Sequence, residues 1–328
     1  MVSALEKTTT TQCKCQGLVL KCPRCHNFLK APTNAAEPTR ACSVCDFVMM
    51  LRNGIWCALP PERFAYFSNF IADYELIRAA EGRASHYADY YLALPYRDLS
   101  GNNSEQWTIR ACTYSYLVKH ILPKVKTHAG EGARVLDVGA GNGWLSYRLT
   151  QRGFRPVALD LLVNDQDGLG AARHFETQLG ELFPRFQAEI ASLPFADCQF
   201  DAVIFNASFH YTENYKKSLR EAMRCLRIGG TIIIADSPWY SKHSSGERMV
   251  VERQAAFLNR FGTPSDSIPS LEFLTDARLA ELEHALGIRW ERHQPFYGIR
   301  WALRPLIARL RCRREPSRFR IYSARKPG

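Results

Sequence analysis

No apolar run in this sequence approaches the roughly 18 residues that a membrane-spanning helix requires. The polar start Met1-Val-Ser-Ala-Leu-Glu-Lys-Thr8 also lacks the apolar core of a secretory leader. Both absences lead to the expectation of a soluble, cytoplasmic protein. Without a secretion signal, a disulfide framework is a poor explanation for eleven cysteines, because cytosolic thiols are kept reduced. Acidic residues are in deficit, 32 against 43 Lys and Arg, and the net charge of +11 favours an anionic partner without bearing on the fold. At 328 residues the chain has room for about two domains, and 46% apolar residues supply a sizeable core.

Seven of the cysteines, at positions 13, 15, 22, 25, 42, 45 and 57, crowd into the first 57 residues. Cys22-Pro-Arg-Cys25 and Cys42-Ser-Val-Cys45 are two C-x2-C pairs with sixteen residues between them, inside the spacing of a zinc ribbon. Four thiolates close a tetrahedral shell and keep no position open for water, so this site serves structure or recognition. An iron–sulfur cluster also accepts four cysteines. Cys13, Cys15, Cys57 and His26 flank the set, and Cys57 or His26 can replace one ligand; packing is the plainer role for each. Lys30 to Arg40 is turn-rich and reads as a surface loop. A module spanning 12–60, closed by Pro60-Pro61, is too small for a full core and would draw its folding energy largely from the metal.

The second organising stretch is Arg134-Val-Leu-Asp-Val-Gly-Ala-Gly-Asn-Gly-Trp-Leu-Ser-Tyr-Arg-Leu149. Val135, Leu136 and Val138 predict a buried parallel strand, Gly139 to Gly143 a tight turn, and Leu145 to Leu149 a helix start. Such a turn offers free N–H groups and close backbone approach to a ligand. The dinucleotide pattern G-x-G-x-x-G fails, because its last position is Trp144. The spacing acid-x-G-x-G-x-G is met by Asp137, Gly139, Gly141 and Gly143. This resembles the first motif of the class I S-adenosylmethionine-dependent methyltransferases, of the methyltransferase type 11 kind. The resemblance implies that the turn wraps the amino acid end of S-adenosylmethionine, with Asp137 meeting its cationic amine.

Further matches run in order along about residues 133 to 237. Pro156-Val-Ala-Leu-Asp160 predicts a second strand whose terminal acid can accept from both ribose hydroxyls. Asp165 and Asp167 follow in a loop, as solvated acids or as ligand contacts. Phe186-Gln-Ala-Glu189-Ile-Ala-Ser-Leu-Pro-Phe195 is similar to the family segment whose acid accepts the adenine amino group, which implies that role for Glu189. Phe200 to Asn206 predicts a fourth strand, and its following loop puts Asn206 and His210 at the strand ends where open α/β sheets bind ligands. Tyr215 to Leu226 predicts a helix capped by Gly229, and Thr231 to Asp236 a fifth strand.

The resemblance implies an α/β, Rossmann-like seven-stranded sheet, six strands parallel and one antiparallel, with helices on both faces. The domain reading is therefore a zinc-ribbon-like module at 12–60, a helical lid at 61–128 and a methyltransferase domain at 129–328. In the lid, Trp107, Arg110 and Tyr114 share a helix face, as core or as ligand contact. Beyond the fifth strand a charged helix spans Glu247 to Asn259, a further helix Leu271 to Leu286, a sixth strand Ile288 to His293 and a last strand Arg318 to Ser323. Arg300 to Arg314 is a basic amphipathic insertion. It suits phosphate, nucleic acid or a membrane surface, or is a solvated basic face over Leu303, Leu306, Ile307 and Leu310.

The expected activity is methyl transfer to an O or N acceptor by in-line displacement, which depends on positioning and water exclusion. His210 can take a proton from a hydroxyl acceptor, and the Asn206 carbonyl can align an amine; a packing role suits His210 equally. A small-molecule acceptor is expected first. A ribosomal RNA guanine methyltransferase, using the zinc module and the basic insertion, is the alternative on architectural resemblance. A non-catalytic zinc-bearing interaction protein is the third.

Overall fold

The computed structural model describes residues 17–30, 38–130 and 132–328. Cys13, Cys15 and positions 31–37 of the proposed surface loop lie outside the described residues; Thr39 and Arg40, expected in that loop, belong to a strand.

Eleven strands form one hydrogen-bonded sheet among the described residues. They are β1 (Leu29–Lys30), β2 (Thr39–Cys42), β3 (Val48–Arg52), β4 (Ile55–Cys57), β5 (Arg134–Val138), β6 (Arg155–Asp160), β7 (Arg185–Gln187), β8 (Phe200–Asn206), β9 (Leu226–Ala235), β10 (Glu291–His293) and β11 (Ile321–Arg325). The order β7-β6-β5-β8-β9-β11-β10 holds the expected seven strands, with β11 alone antiparallel to its neighbours. The expectation of a seven-stranded sheet needs correcting at the other edge. There β4 pairs parallel with β7, placing Trp56 opposite Phe186, and the sheet continues through β3, β2 and β1. The cause is the three-residue edge β7, whose open N–H and C=O groups need a partner. Ile55-Trp56-Cys57 supplies it, and the Ala58 N–H extends the pairing to the Gln187 carbonyl (2.9 Å).

The central strands are apolar on both faces, as parallel strands covered on both sides must be. Alternation sends Leu136, Val138, Val157, Leu159, Val203 and Phe205 into one core and Val135, Ala158, Ala202 and Ile204 into the other. The first core also takes Leu20, Cys22, Cys42, Phe47, Met49 and Trp56. The cysteine-bearing segment therefore packs into the same apolar core as the central sheet.

The helices are α1 (Pro61–Ala80), α2 (Ala88–Ala93), α3 (Ser104–Tyr116), α4 (Leu122–Ala129), α5 (Trp144–Thr150), α6 (Glu176–Leu179), α7 (Tyr215–Cys225), α8 (His243–Phe261), α9 (Asp276–Leu286) and α10 (Ile299–Leu310). On one face α7 and α9 bury Leu219, Ala222, Leu279 and Leu282; on the other lie α2 to α5. Between α3 and α4 the chain widens to a π turn at Leu117–Ile121, where the Leu122 N–H reaches the Leu117 carbonyl. Pro123 has no N–H with which to continue the tighter ladder, which accounts for the break.

Several element limits differ from the sequence expectation for local reasons. The α9 helix starts at Asp276 and not near 271, because the Thr275 side chain accepts from the Arg278 N–H (3.2 Å) and caps it. Residues 288–290 stay out of β10, the Ile288 and Trp290 N–H groups being taken by the Glu283 carbonyl (3.2 Å) and carboxylate (2.6 Å). The last strand lies at Ile321–Arg325. Gly229 is not a helix cap: α7 ends at Cys225, the chain extends at Leu226, and Gly229 sits within β9 with φ +75°.

Because one core runs from the cysteine segment to the central sheet, Trp56→Ala is expected to destabilise the whole chain by about 3–5 kcal/mol as a single thermal transition. Two separated calorimetric transitions, with only one of them shifted, would contradict a shared core.

Candidate active site

A cavity of about 100 Å³ opens at the carboxyl ends of β5, β6 and β8, on the turn from Gly139 to Asn142. Gly139 and Gly141 line it, both with positive φ, and a Cβ on Gly139 would sit 2.2 Å from the Ser208 Cβ. Gly143 does not line it. That residue begins α5 in the left-handed region, and the space where its side chain would stand is taken by Phe183 and Ala172. Its role is packing.

Two acids face this cavity. Asp137 is buried, accepts from Ser146 Oγ (2.8 Å), and is pushed up to about 7 by burial. Asp160 accepts from the Gly141 N–H (2.7 Å) and the Leu162 N–H (2.9 Å), and burial raises it despite those bonds. A buried carboxylate held above its usual range is ready for a cation or for hydroxyl donors. A third acid, Asp167, lines the wall, accepts from Asn142 Nδ2 (3.3 Å) and pairs with Arg78 (2.8 Å). Asp165 is exposed and pairs with Arg173 (2.5 Å).

Glu189, expected at the adenine, lines a recess next to this cavity, between Ala188 and Ile190 that line the cavity itself. Its carboxylate is held by both Arg63 Nε (2.8 Å) and Nη2 (2.7 Å), and the recess shares Phe70, Leu161, Ile190 and Tyr211 with the cavity. Arg63 lies on α1, so the pair fastens that helix over the strand ends. The same helix sends Phe70, Tyr74 and Arg78 into the cavity at spacings of four, one face of a helix. From α3 come Trp107 and Arg110, whereas Tyr114 turns to Trp144 (ring centroids 5.8 Å) and accepts from Arg152 Nε (2.9 Å).

A second chamber of about 530 Å³ adjoins the first and shares Phe70, Tyr74, Arg78, Arg110, Ala207 and Tyr211 with it. The two residues expected to do chemistry divide between them: Asn206 lines the first and His210 the second. His210 is buried, its Nδ1 has no partner, and burial lowers it to about 4. It is therefore neutral near pH 7 and a weak proton acceptor.

Asp236, just past the end of β9, also lines the second chamber and was not singled out in the sequence. Thr113 Oγ1 donates to its Oδ1 (2.6 Å), Oδ2 is buried without a partner, its φ is +51°, and burial raises it to about 6. Its place at the end of the fifth strand was the available signal. From the basic insertion, now α10, Trp301 and Arg304 line the chamber. Leu303, Leu306, Ile307 and Leu310 are exposed, so the apolar stripe expected beneath a basic face turns to solvent.

At the far edge of the sheet, Cys22, Cys25, Cys42 and Cys45 converge, their sulfurs all within 4.8 Å of one another. Cys22 to Cys45 and Cys25 to Cys42 are each 3.4 Å apart. A tetrahedral ion with metal–sulfur bonds near 2.3 Å sets sulfur–sulfur edges of about 3.8 Å, so the four fit a single ion. His26 and Asp46, each following a second cysteine, have positive φ and turn the chain back at matching places. Cys57 and His26 are not part of the four.

No described helix is long and apolar enough to cross a membrane. A family model described as a methyltransferase domain matches residues 136–234. The chain is similar to the malonyl-[acyl-carrier protein] O-methyltransferase of Erwinia pyrifoliae, 32% identical over 157 residues, 48% of this chain and 53% of that protein. It is also similar to the fatty-acid O-methyltransferase of Mycolicibacterium smegmatis, 36% identical over 107 residues, 33% of this chain and 38% of that protein. The solved structure of YcgJ from Bacillus subtilis aligns over 63% of this chain and 97% of its own, with 18% identity and a TM-score of 0.44. This chain thus spans about half or less of the length of these curated relatives. Residues 136–234 thus match a methyltransferase domain, and over part of its length the chain is similar to these methyltransferases.

Proposed function

We propose that this protein transfers the methyl group of S-adenosylmethionine to an oxygen or nitrogen of a small molecule. The observation that carries the reading is the pair of adjoining chambers, one on the glycine turn and one beyond it, which share Arg110 and Ala207. Displacement at a methyl carbon needs donor and acceptor on opposite sides of one point, and two chambers meeting at a shared wall offer that arrangement. The relatives named for O-methylation of an acyl carrier and of fatty acids favour oxygen.

Bound in the first chamber, the cofactor supplies an electrophilic methyl group on a sulfonium. Asp137 would hold its ammonium group and Asp160 its ribose hydroxyls, while Gly139 and Gly141, both at positive φ, shape the turn beneath it. Glu189 keeps α1 in place through Arg63, and Phe70 and Tyr74 exclude water from above. For a hydroxyl acceptor, Asp236 is the better base: its carboxyl titrates near 6, against about 4 for the buried His210. Asn206 faces the cofactor chamber and aligns an amine acceptor through its carbonyl.

The relatives named for small or carrier-bound acyl acceptors support a small acceptor over RNA. The four-cysteine site would take zinc, since a single ion and no larger cluster suits sulfurs as near as 3.4 Å. The site lies on a segment packed into the main core, and its task is structural.

Turnover tests the reading: release of S-adenosylhomocysteine should depend on a small organic acceptor. Stimulation by RNA that falls steeply with added salt would point to phosphate contacts instead. Asp137 gives a pH signature. An ammonium ligand favours its ionised form, so cofactor affinity should be full above about pH 7 and fall up to tenfold per unit below it. Asp137→Asn should bind weakly and flatten that profile between pH 5 and 7.5; an unchanged profile would remove Asp137 from the site. Chelation of the metal should lower the melting temperature of the whole chain. Structural zinc in small peptides contributes roughly 10–16 kcal/mol, as much as the roughly 5–15 kcal/mol net stability of a domain. Melting unaffected by chelator, with metal shown to be removed, would contradict the structural role.

A further inference from the structure

Five arginines line the second chamber, and they fall into two groups. Three are occupied by acids. Arg78 pairs with Asp167 (2.8 Å), Arg83 with Glu81 (2.5 Å), and Arg253 grips both oxygens of Glu272. Arg110 and Arg304 have no hydrogen bond or ion pair among the described residues. The Arg304 Nη1 is buried without a partner. Burial lowers both guanidinium groups, Arg110 to about 10, and outweighs the attraction of Asp236 for Arg110 and of Glu105 for Arg304.

The two are mounted in the same way. Trp107-Thr-Ile-Arg110 on α3 and Trp301-Ala-Leu-Arg304 on α10 are one W-x-x-R spacing used on two walls of the chamber. In each, the guanidinium lies over the indole three residues before it, 4.6 Å from the ring for Arg110 and 3.8 Å for Arg304. Residues three apart on a helix are neighbours, and cation–π stacking fixes the guanidinium while its N–H fork stays free. A planar fork with unspent donors matches a carboxylate or a phosphate. Around these charges the wall is apolar, with Ile77, Ile109, Phe257 and Phe319.

We propose that the second chamber takes an amphipathic organic anion, its carboxylate or phosphate held by Arg304 and Arg110 and its apolar body against the aromatic wall. This rests on the methyl-transfer reading in naming that anion as the acceptor. Arg304 lines the second chamber and not the first, so it reports on the acceptor alone. Arg110 lines both and orients the anion at their junction. The acids nearby do not cancel the arrangement. Glu272 is spent on Arg253, Glu81 on Arg83, Glu105 is exposed, and Asp236 stands at the proton-accepting position.

The test is calorimetric titration of the full chain, saturated with S-adenosylhomocysteine, with decanoate, decyl phosphate and neutral decanol. Decanoate or decyl phosphate should bind at least tenfold more tightly than decanol, and the tighter of the two names the head group. Arg304→Gln should weaken that anion roughly tenfold to a hundredfold and leave decanol unaffected. Arg304→Lys, which keeps the charge and loses the fork, should fall between, with S-adenosylmethionine affinity unchanged in both. Equal binding of all three probes, or anion binding indifferent to Arg304→Gln in a variant that melts like the parent, would overturn the proposal. Failure to bind S-adenosylmethionine would instead count against methyl transfer, because the Arg304 comparison reads the chamber on its own.

Discussion

One hydrogen bond, from the Gly141 N–H to the Asp160 carboxylate, joins the ends of the two strands on which the site is built. It ties the turn after β5 to the last residue of β6, and so fixes where the glycine backbone can face a ligand. The bond is possible because β5 and β6 are parallel neighbours, with Val138 opposite Leu159, so that both strands end on the same side. Their burial on two faces leaves the carboxyl ends as the open side of the sheet, the place where ligands bind in this architecture. Burial also raises Asp137 and Asp160, and the tension between an acid and its dry surroundings is relieved by a cationic or hydroxyl-bearing ligand.

Around that turn the remaining elements form an enclosure. The α1 helix crosses the strand ends, fastened by Arg63 to Glu189, and α3 and α10 bring stacked arginines to the second chamber. The cysteine segment contributes from the opposite edge, where β4 covers β7. Since β7 carries the chain to Glu189, a disturbance at the four-cysteine cluster has a short path to α1 through β4, β7 and the Arg63 pair.

The central sheet was legible because a strand buried on both faces writes a continuous apolar run, as in Val203-Ile-Phe205, and because glycines and acids end those runs at Gly139 and Asp160. The convergence of Cys22, Cys25, Cys42 and Cys45 was legible from spacing alone. The docking of β4 was not: Ile55-Trp56-Cys57 is too short to show a period, and its pairing depends on a partner more than a hundred residues away. The partner of Glu189 is likewise 126 residues distant in sequence, so its pairing with Arg63 could not be seen from the acid's own segment. Asp236 could be placed at a strand end, but its buried, unpaired oxygen belongs to the packing of Thr113 from a distant helix.

The most direct measurement is calorimetric titration of the metal-replete chain with S-adenosylmethionine, with NADH as the competing ligand and Asp160→Ala as the variant. The account expects saturable binding of S-adenosylmethionine alone, weakened by the substitution. Binding of NADH in its place, or no binding of S-adenosylmethionine by folded protein, would contradict it.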